Sequence, residues 1–219
     1  MEIIQIPVAP IGANCYIVSE GKEAFIIDPG GDADKIIKAA ADYEVRYILL
    51  THAHFDHISG LNDVKNAFPD AKVAVHALEK EWLYSSELNL SGEFWVGWDV
   101  VYKKNIDIEL EDGMKLGFAG TEINVFHTPG HTPGSTSFYI KKSATNENHS
   151  LFSGDTLFKN SVGRTDFPGG DSEKIIESIE TKLLVLPDET VVYPGHDENT
   201  SIAMQKKFNP FLKRYGITS

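Results

Sequence analysis

The amino-acid sequence predicts a mixed α/β (α+β) protein built as one domain over residues 1–219. Three observations predict it. Short apolar stretches of strand length recur along the chain, each bounded by Gly, Pro, Asn or Asp. Between them lie stretches whose apolar residues repeat at helical spacing. The two kinds alternate from end to end, and no repeat, low-complexity tract or linker divides them.

The elements follow in order. Residues 3–6, 14–18 and 24–27 read as strands, punctuated by Pro10, Gly12, Gly21 and Pro29-Gly30. Asp32 then opens a helix through Ile36, Ile37, Ala40 and Ala41 and is the residue expected to cap it. Residues 45–50 form a strand, 61–68 a helix and 72–75 a strand. Trp82, Tyr84, Phe94, Trp95 and Trp98 crowd the stretch from 77 to 100. Aromatics of this kind more often fill a core, and the alternative is a flap over a pocket. Further strands fit 106–110, 123–126, 137–140, 151–152 and 191–193, and helices fit 172–186 and 199–209. The polar run 141–150 reads as a surface turn with a solvated His149.

Composition narrows the class of function. There are 20 Lys and Arg against 32 Asp and Glu, a net charge of −12. No basic track accompanies it, so neither nucleic acid nor an anionic membrane is an expected partner. A small-molecule substrate is expected, and the oligomeric state is left open. The single cysteine, Cys15, permits no internal disulfide or Cys-based metal framework and reads as a small buried residue. The start Met1-Glu2-Ile3 has no basic or long apolar run, so no signal peptide or membrane span is expected, and the expected location is cytoplasmic.

The chemistry lies in Thr51-His52-Ala53-His54-Phe55-Asp56-His57, directly after the strand 45–50. Alternation along an extended backbone lets His52 and His54 project to one side. Asp56 and His57 follow where the chain turns, so they can face a second point. Imidazole with carboxylate suits Zn, Fe or Mn rather than Ca. An H-x-H-x-D-H run arises by chance in roughly one such chain per thousand or fewer. Three later segments share one design, an apolar strand, a glycine, then a metal-competent side chain: Gly130-His131, Gly154-Asp155 and Gly195-His196. Glycine permits the sharp turn that presents such a side chain at a strand end. Singly each is weak, since a His after Pro-Gly is usually a turn residue; together with the first motif they point to one metal site. His76 and His127 do not share the design and read as packing residues or supports of the ligands.

At these residues the chain resembles the metallo-β-lactamase-fold superfamily, and within it the small glyoxalase II-like (hydroxyacylglutathione hydrolase-like) hydrolases. The resemblance runs through Asn14-Cys15-Tyr16, Ile27-Asp28-Pro29-Gly30, the H-x-H-x-D-H run, the stretch from Thr128 to Ser135, Gly154-Asp155-Thr156, Gly163-Arg164-Thr165-Asp166-Phe167 and Tyr193-Pro194-Gly195-His196. It implies a four-layer αββα sandwich with metal at one edge of the two sheets. It implies two divalent ions, zinc first, with iron or manganese as alternatives. One ion would take His52, His54 and His131, the other Asp56, His57 and His196, and Asp155 would bridge them. Asp56 and Asp155 would be the carboxylates of the catalytic set, and Asp28 would orient ligands without binding. His54 argues against an electron-transfer role, because flavodiiron relatives carry Glu there. The chain departs from true glyoxalase II enzymes in ending at Ser219, soon after His196, where those enzymes carry a helical domain for glutathione. It also has Asp197 where the family often has Gly.

The expected reaction is thioester hydrolysis of an acyl-thiol conjugate by metal-activated water. A thiolate leaves without a dedicated acid, since thiols ionise near pH 8.5. The alternative from another reaction class is a persulfide dioxygenase with one iron on His52 (or His54), His131 and Asp155. A lactonase or phosphodiesterase on small esters and a non-enzymatic metal module complete the alternatives. Arg164 is the candidate for gripping an anionic substrate group, against an equal claim for a structural ion pair with Asp166. Tyr193 reads as core.

Overall fold

A computed structural model describes residues 1–92, 99–143 and 146–214, grouped in two compact units, Met1–Leu110 and Glu111–Ser219. Phe94, Trp95 and Trp98 of the aromatic stretch lie outside the described residues.

The N-terminal unit carries a six-stranded sheet in the order β1 (Glu2–Val8), β2 (Ala13–Glu20), β3 (Glu23–Ile27), β4 (Glu44–Leu49), β5 (Lys72–His76) and β6 (Ile108–Leu110). β1, β2 and β3 pair antiparallel, and β3 to β6 run parallel. β2 and β3 are buried along nearly their whole length, and a strand covered on both faces reads as a continuous apolar run rather than an alternating one. The crossovers hold α1 (Ala33–Ala40), α2 (Phe55–Ile58) and α3 (Leu61–Ala67); α1 packs on α3 and on β2. Parallel strands end together. Asp28 therefore follows β3 and Thr51 follows the end of β4 at one edge, which is where open parallel sheets place their chemistry.

The C-terminal unit carries β7 (Lys115–Phe118), β8 (Thr121–His127), β9 (Thr136–Ile140), β10 (Ser150–Gly154), β13 (Val191–Pro194) and β14 (Thr200–Ser201) in one sheet. A separate ribbon pairs β11 (Leu157–Phe158) with β12 (Ser161–Val162). β8 and β10 both pair antiparallel to β9, and β13 runs parallel to β10. β8, β10 and β13 therefore share a direction and finish at the same edge, just before His131, Asp155 and His196. α4 (Ser172–Ser178), α5 (Ile202–Phe208) and α6 (Pro210–Arg214) complete this unit. Ile175, Ile176, Ile179 and Leu183 repeat at three- and four-residue spacing and pack with Leu151, Val192, Ile202 and Leu212.

Several expected elements take a different form. Asp32 precedes α1, but its φ of 45° turns its side chain away from the helix amides. Its carboxylate instead accepts from the backbone of Ala9 at 3.2 Å and from Lys35 at 2.8 Å. The helix expected over 172–186 stops at Ser178 and continues as a π turn over Ile179–Leu183, with the amide of Leu184 bonded to the carbonyl of Ile179. Thr200 and Ser201 pair with β13 as a short strand, so the last long helix begins at Ile202, where Ser201 accepts from the amide of Met204. His149 is not simply solvated: its Nδ1 meets the hydroxyl of Tyr139 at 2.6 Å and the two rings stack. Among the described residues, no helix is long and apolar enough to cross a membrane.

Candidate metal centre

Residues 51–58 are buried throughout, an unusual place for two carboxylate-partnered imidazoles unless their polar atoms are engaged. The chain leaves β4 extended, and Asp56 and His57 sit on the single turn α2 rather than on an irregular bend. The His52 and His54 rings lie 4.8 Å apart edge to face, and those of His52 and His57 lie 4.2 Å apart. Donor atoms of His52 and His54, of His52 and His57, and of Asp56 and His57 lie pairwise within 4.8 Å.

Asp28 organises this group from behind. Its φ is 49°, a left-handed turn at the end of β3 that aims the carboxylate at the neighbouring strand end. It accepts the amide of Thr51 at 2.8 Å, the hydroxyl of Thr51 at 2.6 Å and Nδ1 of His57 at 2.9 Å. With its proton given to Asp28, the Thr51 oxygen accepts from Nδ1 of His52 at 3.1 Å. A carboxylate only accepts, so both imidazoles carry a proton on Nδ1, and in the neutral ring Nε2 is then the lone pair.

Within the C-terminal unit, Gly130 (φ 137°) and Gly154 (φ 50°) take backbone angles that other residues avoid, and each turns the chain into the ligand-competent side chain that follows. Gly195 does not share this property; the positive angle falls one residue beyond His196, on Asp197 (φ 63°). Nδ1 of His131 donates to the carbonyl of Arg164 at 2.8 Å, which leaves its Nε2 3.6 Å from Asp155 Oδ2. His196 Nε2 lies 3.7 Å from the same oxygen. Gly163 closes over this group: a Cβ there would stand 1.8 Å from the carbonyl oxygen of Asp155 and 3.2 Å from Cβ of His131.

These pairs fit a divalent cation. Nε2 of His57 faces Asp56 Oδ2 at 3.4 Å, and Nε2 of His131 faces Asp155 Oδ2 at 3.6 Å. In the neutral ring a lone pair faces an anionic oxygen and is repelled, and a cation between them reverses the sign. Two ligands on one ion, with bonds of about 2.0–2.2 Å near the tetrahedral angle, stand roughly 3.3–3.6 Å apart. These separations lie at or close to that range and are longer than ordinary hydrogen bonds.

The remaining residues fall away from this chemistry. His76 is buried and accepts from the amide of Leu78, and His127 bonds the carbonyl of Pro133. Tyr193 stacks on Phe152. Cys15 is buried, and that burial, with Asp28 second, pushes its thiol well above the usual range, so it is inert. Arg164 is exposed and forked onto Asp166 at 2.8 Å by two of its nitrogens, with its guanidinium 3.6 Å over the ring of Phe167. Sequence reasoning does not single out Thr51 as an intermediary, nor the buried Glu79, whose carboxylate accepts from the amide of Ala53 at 3.0 Å. Thr51 lies inside the quoted motif; Glu79 carries no local signal.

The chain is similar to known proteins over nearly its whole length. The pattern of the metallo-β-lactamase superfamily matches residues 8–196. The Haemophilus influenzae protein described as hydroxyacylglutathione hydrolase GloC is 36% identical over 221 residues, covering 97% of this chain and 98% of its own. The crystal structure of BLEG-1, described as a B3 metallo-β-lactamase, matches with a TM-score of 0.89 at 42% identity, covering 96% of this chain and 99% of its own. TTHA1623, solved in a di-iron-bound form, matches with a TM-score of 0.80 at 35% identity over 95% of this chain and 100% of its own. The fold is that of these proteins, as the resemblance implied, and the chain belongs to the metallo-β-lactamase superfamily.

Proposed function

We propose that the chain, as one domain over residues 1–219, is a dinuclear-metal hydrolase that cleaves thioesters of small acyl-thiol conjugates. On the ligand assignment that the family resemblance implies, His52, His54 and His131 would hold one ion and Asp56, His57 and His196 the other, with Asp155 shared by both. The observation that carries this reading is the pairing of His57 with Asp56 and of His131 with Asp155 at ion-sharing separations. The name of the Haemophilus influenzae relative supports the thioester, and the di-iron form of TTHA1623 supports two ions. Zinc is the first expectation for the metal, with iron or manganese as alternatives.

Divalent ions bound here would supply Lewis acidity, making a water nucleophilic near neutral pH and drawing negative charge onto the carbonyl oxygen of the substrate. The chain's own groups do the rest. By accepting at Nδ1, Asp28 and Thr51 select the tautomer of His57 and His52 whose Nε2 is the lone pair and aim the rings, and the Arg164 carbonyl does the same for His131. Asp56 and Asp155 are the carboxylates able to accept the proton that the water gives up. The water oxygen bonds to the acyl carbon, the C–S bond breaks with its electron pair on sulfur, and a carboxylic acid and a thiolate leave. Thiols ionise near pH 8.5, so sulfur needs no acid to depart. Arg164 can contact an anionic substrate by exchanging Asp166 for it, and an exposed pair of this kind is held weakly enough to exchange.

A single-iron dioxygenase would use three of these ligands and leave the buried Asp28–His57–Asp56 chain without a task, which favours the hydrolase. The likeness to BLEG-1 gives β-lactam hydrolysis as the second reading. The test measures metal per chain, then thiol release from a hydroxyacyl-glutathione and ring opening of a chromogenic β-lactam side by side, for wild type and Asp155→Ala. Two ions and thiol release lost in Asp155→Ala are expected. Thiol release unaffected by Asp155→Ala sinks the site assignment, and ring opening without thiol release moves the substrate to β-lactams.

A further inference from the structure

Resting on the metal-centre reading above, we infer that Glu79 is a positioning residue for His52 and His54, acting through the amide of Ala53 between them. Beyond the end of β4 the chain has left its strand ladder: the amide of Leu50 is still bonded to the carbonyl of Ala74, but the next partners are of another kind. The amide of Thr51 goes to the Asp28 carboxylate at 2.8 Å. The amide of Ala53 goes to Oε2 of Glu79 at 3.0 Å. The amide of Phe55 goes to the backbone carbonyl of Asn89 at 3.0 Å. Three alternate amides are thus held by three acceptors. Pinned at every second amide, the chain between has little freedom to turn, so holding 51, 53 and 55 fixes which way 52 and 54 project.

The acceptors are themselves fixed. Glu79 is 0% exposed and stands on the tight turn Ala77–Glu79 that follows β5. A carboxylate is rarely buried for packing alone, because desolvation penalises its charge. Asn89, also 0% exposed, donates its side-chain amide to the carbonyls of Trp82 at 3.2 Å and Val100 at 2.6 Å and accepts the amide of Ser91 at 3.0 Å. Between them, Trp82 sets its ring 5.8 Å from that of His54. The stretch from Glu79 to Asn89 therefore braces the ligand loop on the side away from Asp28. For the described part of the aromatic stretch this shows Trp82 as a buried support.

The test compares wild type, Glu79→Ala and Glu79→Gln, each stripped of metal and reloaded with Co(II). Affinity is read by competition with a chromophoric chelator, and ligand geometry by the visible d–d spectrum. Glutamine keeps an acceptor oxygen for Ala53; alanine does not. The expected result is affinity lowered about 10–100-fold with an altered spectrum in Glu79→Ala, the magnitude typical of supports to metal ligands, and near wild-type behaviour in Glu79→Gln. Should the alanine variant not fold, Glu79→Met keeps the volume without the acceptor and is read in the same way. Wild-type affinity and spectrum in Glu79→Ala or Glu79→Met overturn the inference, as does an equal loss in Glu79→Gln. A wild type that takes up no metal overturns the metal centre itself, so the two failures are distinct.

Discussion

Oδ2 of Asp28 lies 2.9 Å from Nδ1 of His57, and the same oxygen accepts the hydroxyl of Thr51 at 2.6 Å. One carboxylate thereby sets the tautomer of His57 directly and that of His52 through the threonine, whose oxygen stands 3.1 Å from His52 Nδ1. Thr51→Val, which keeps the shape and removes the hydroxyl, should weaken metal binding about 10–100-fold in chelator competition, and Thr51→Ser should restore it. Wild-type affinity in Thr51→Val would show that the hydroxyl does not orient His52.

Gly163 should tolerate no side chain. A Cβ there meets the backbone oxygen of Asp155 at 1.8 Å, so Gly163→Ala must displace the loop that carries this carboxylate. Loss of about 1–3 kcal/mol in urea denaturation is expected, together with reduced metal content. Gly113→Ala is the contrast. Its φ of 78° makes alanine strained, at about 1–2 kcal/mol, but open space surrounds it, so metal content should hold. Equal metal content in both variants would refute the role given to Gly163.

Asp197 occupies a left-handed position, φ 63°, directly after His196. That angle gives a physical reason for the glycine common in the family there. Asp197→Ala should lower stability by about 1 kcal/mol, while Asp197→Gly should fold at least as stably, within about 1 kcal/mol of wild type, since relieved strain offsets added freedom in the unfolded chain. Alanine and glycine variants of equal melting temperature would contradict this.

The Arg164 pair has a signature in acid. Its hydrogen bonds to Asp166 pull that carboxyl down to about 2 from an ordinary 3.8. The folded value is the lower one, so the pair's contribution is present above the unfolded value and is lost as pH falls toward 2. NMR titration should place the Asp166 midpoint near 2 in wild type and return it toward 3.8 in Arg164→Ala. An unshifted midpoint in the variant would mean the fork does not hold Asp166 in solution.

Much of the site is legible in the amino-acid sequence. The H-x-H-x-D-H run can be read because strand alternation is local, and the Gly130-His131 and Gly154-Asp155 turns because a glycine announces a sharp change of direction. Gly195 looks like those two in sequence but differs in conformation, since the required angle belongs to its neighbour at 197. What cannot be read depends on partners distant in sequence. Asp32 has the position of a cap for the helix beside it, yet its carboxylate turns to Ala9. His149 looks solvated because its partner Tyr139 is set by the pairing of β9 with β10. Glu79 and Asn89 carry no motif at all, and only the path of the chain around β5 brings them to the ligand loop.

The three alternate amides held at 51, 53 and 55 also bear on which ion the proposed centre would take. A loop gripped by its own backbone keeps one shape whatever sits in front of it, so its donors are set in place before any cation arrives. Histidine and aspartate donors bind zinc, iron and manganese alike, in an order set by the ions themselves. For the proposed centre, a choice among them would then rest on how well each ion suits a geometry already set and on the supply present as the chain folds.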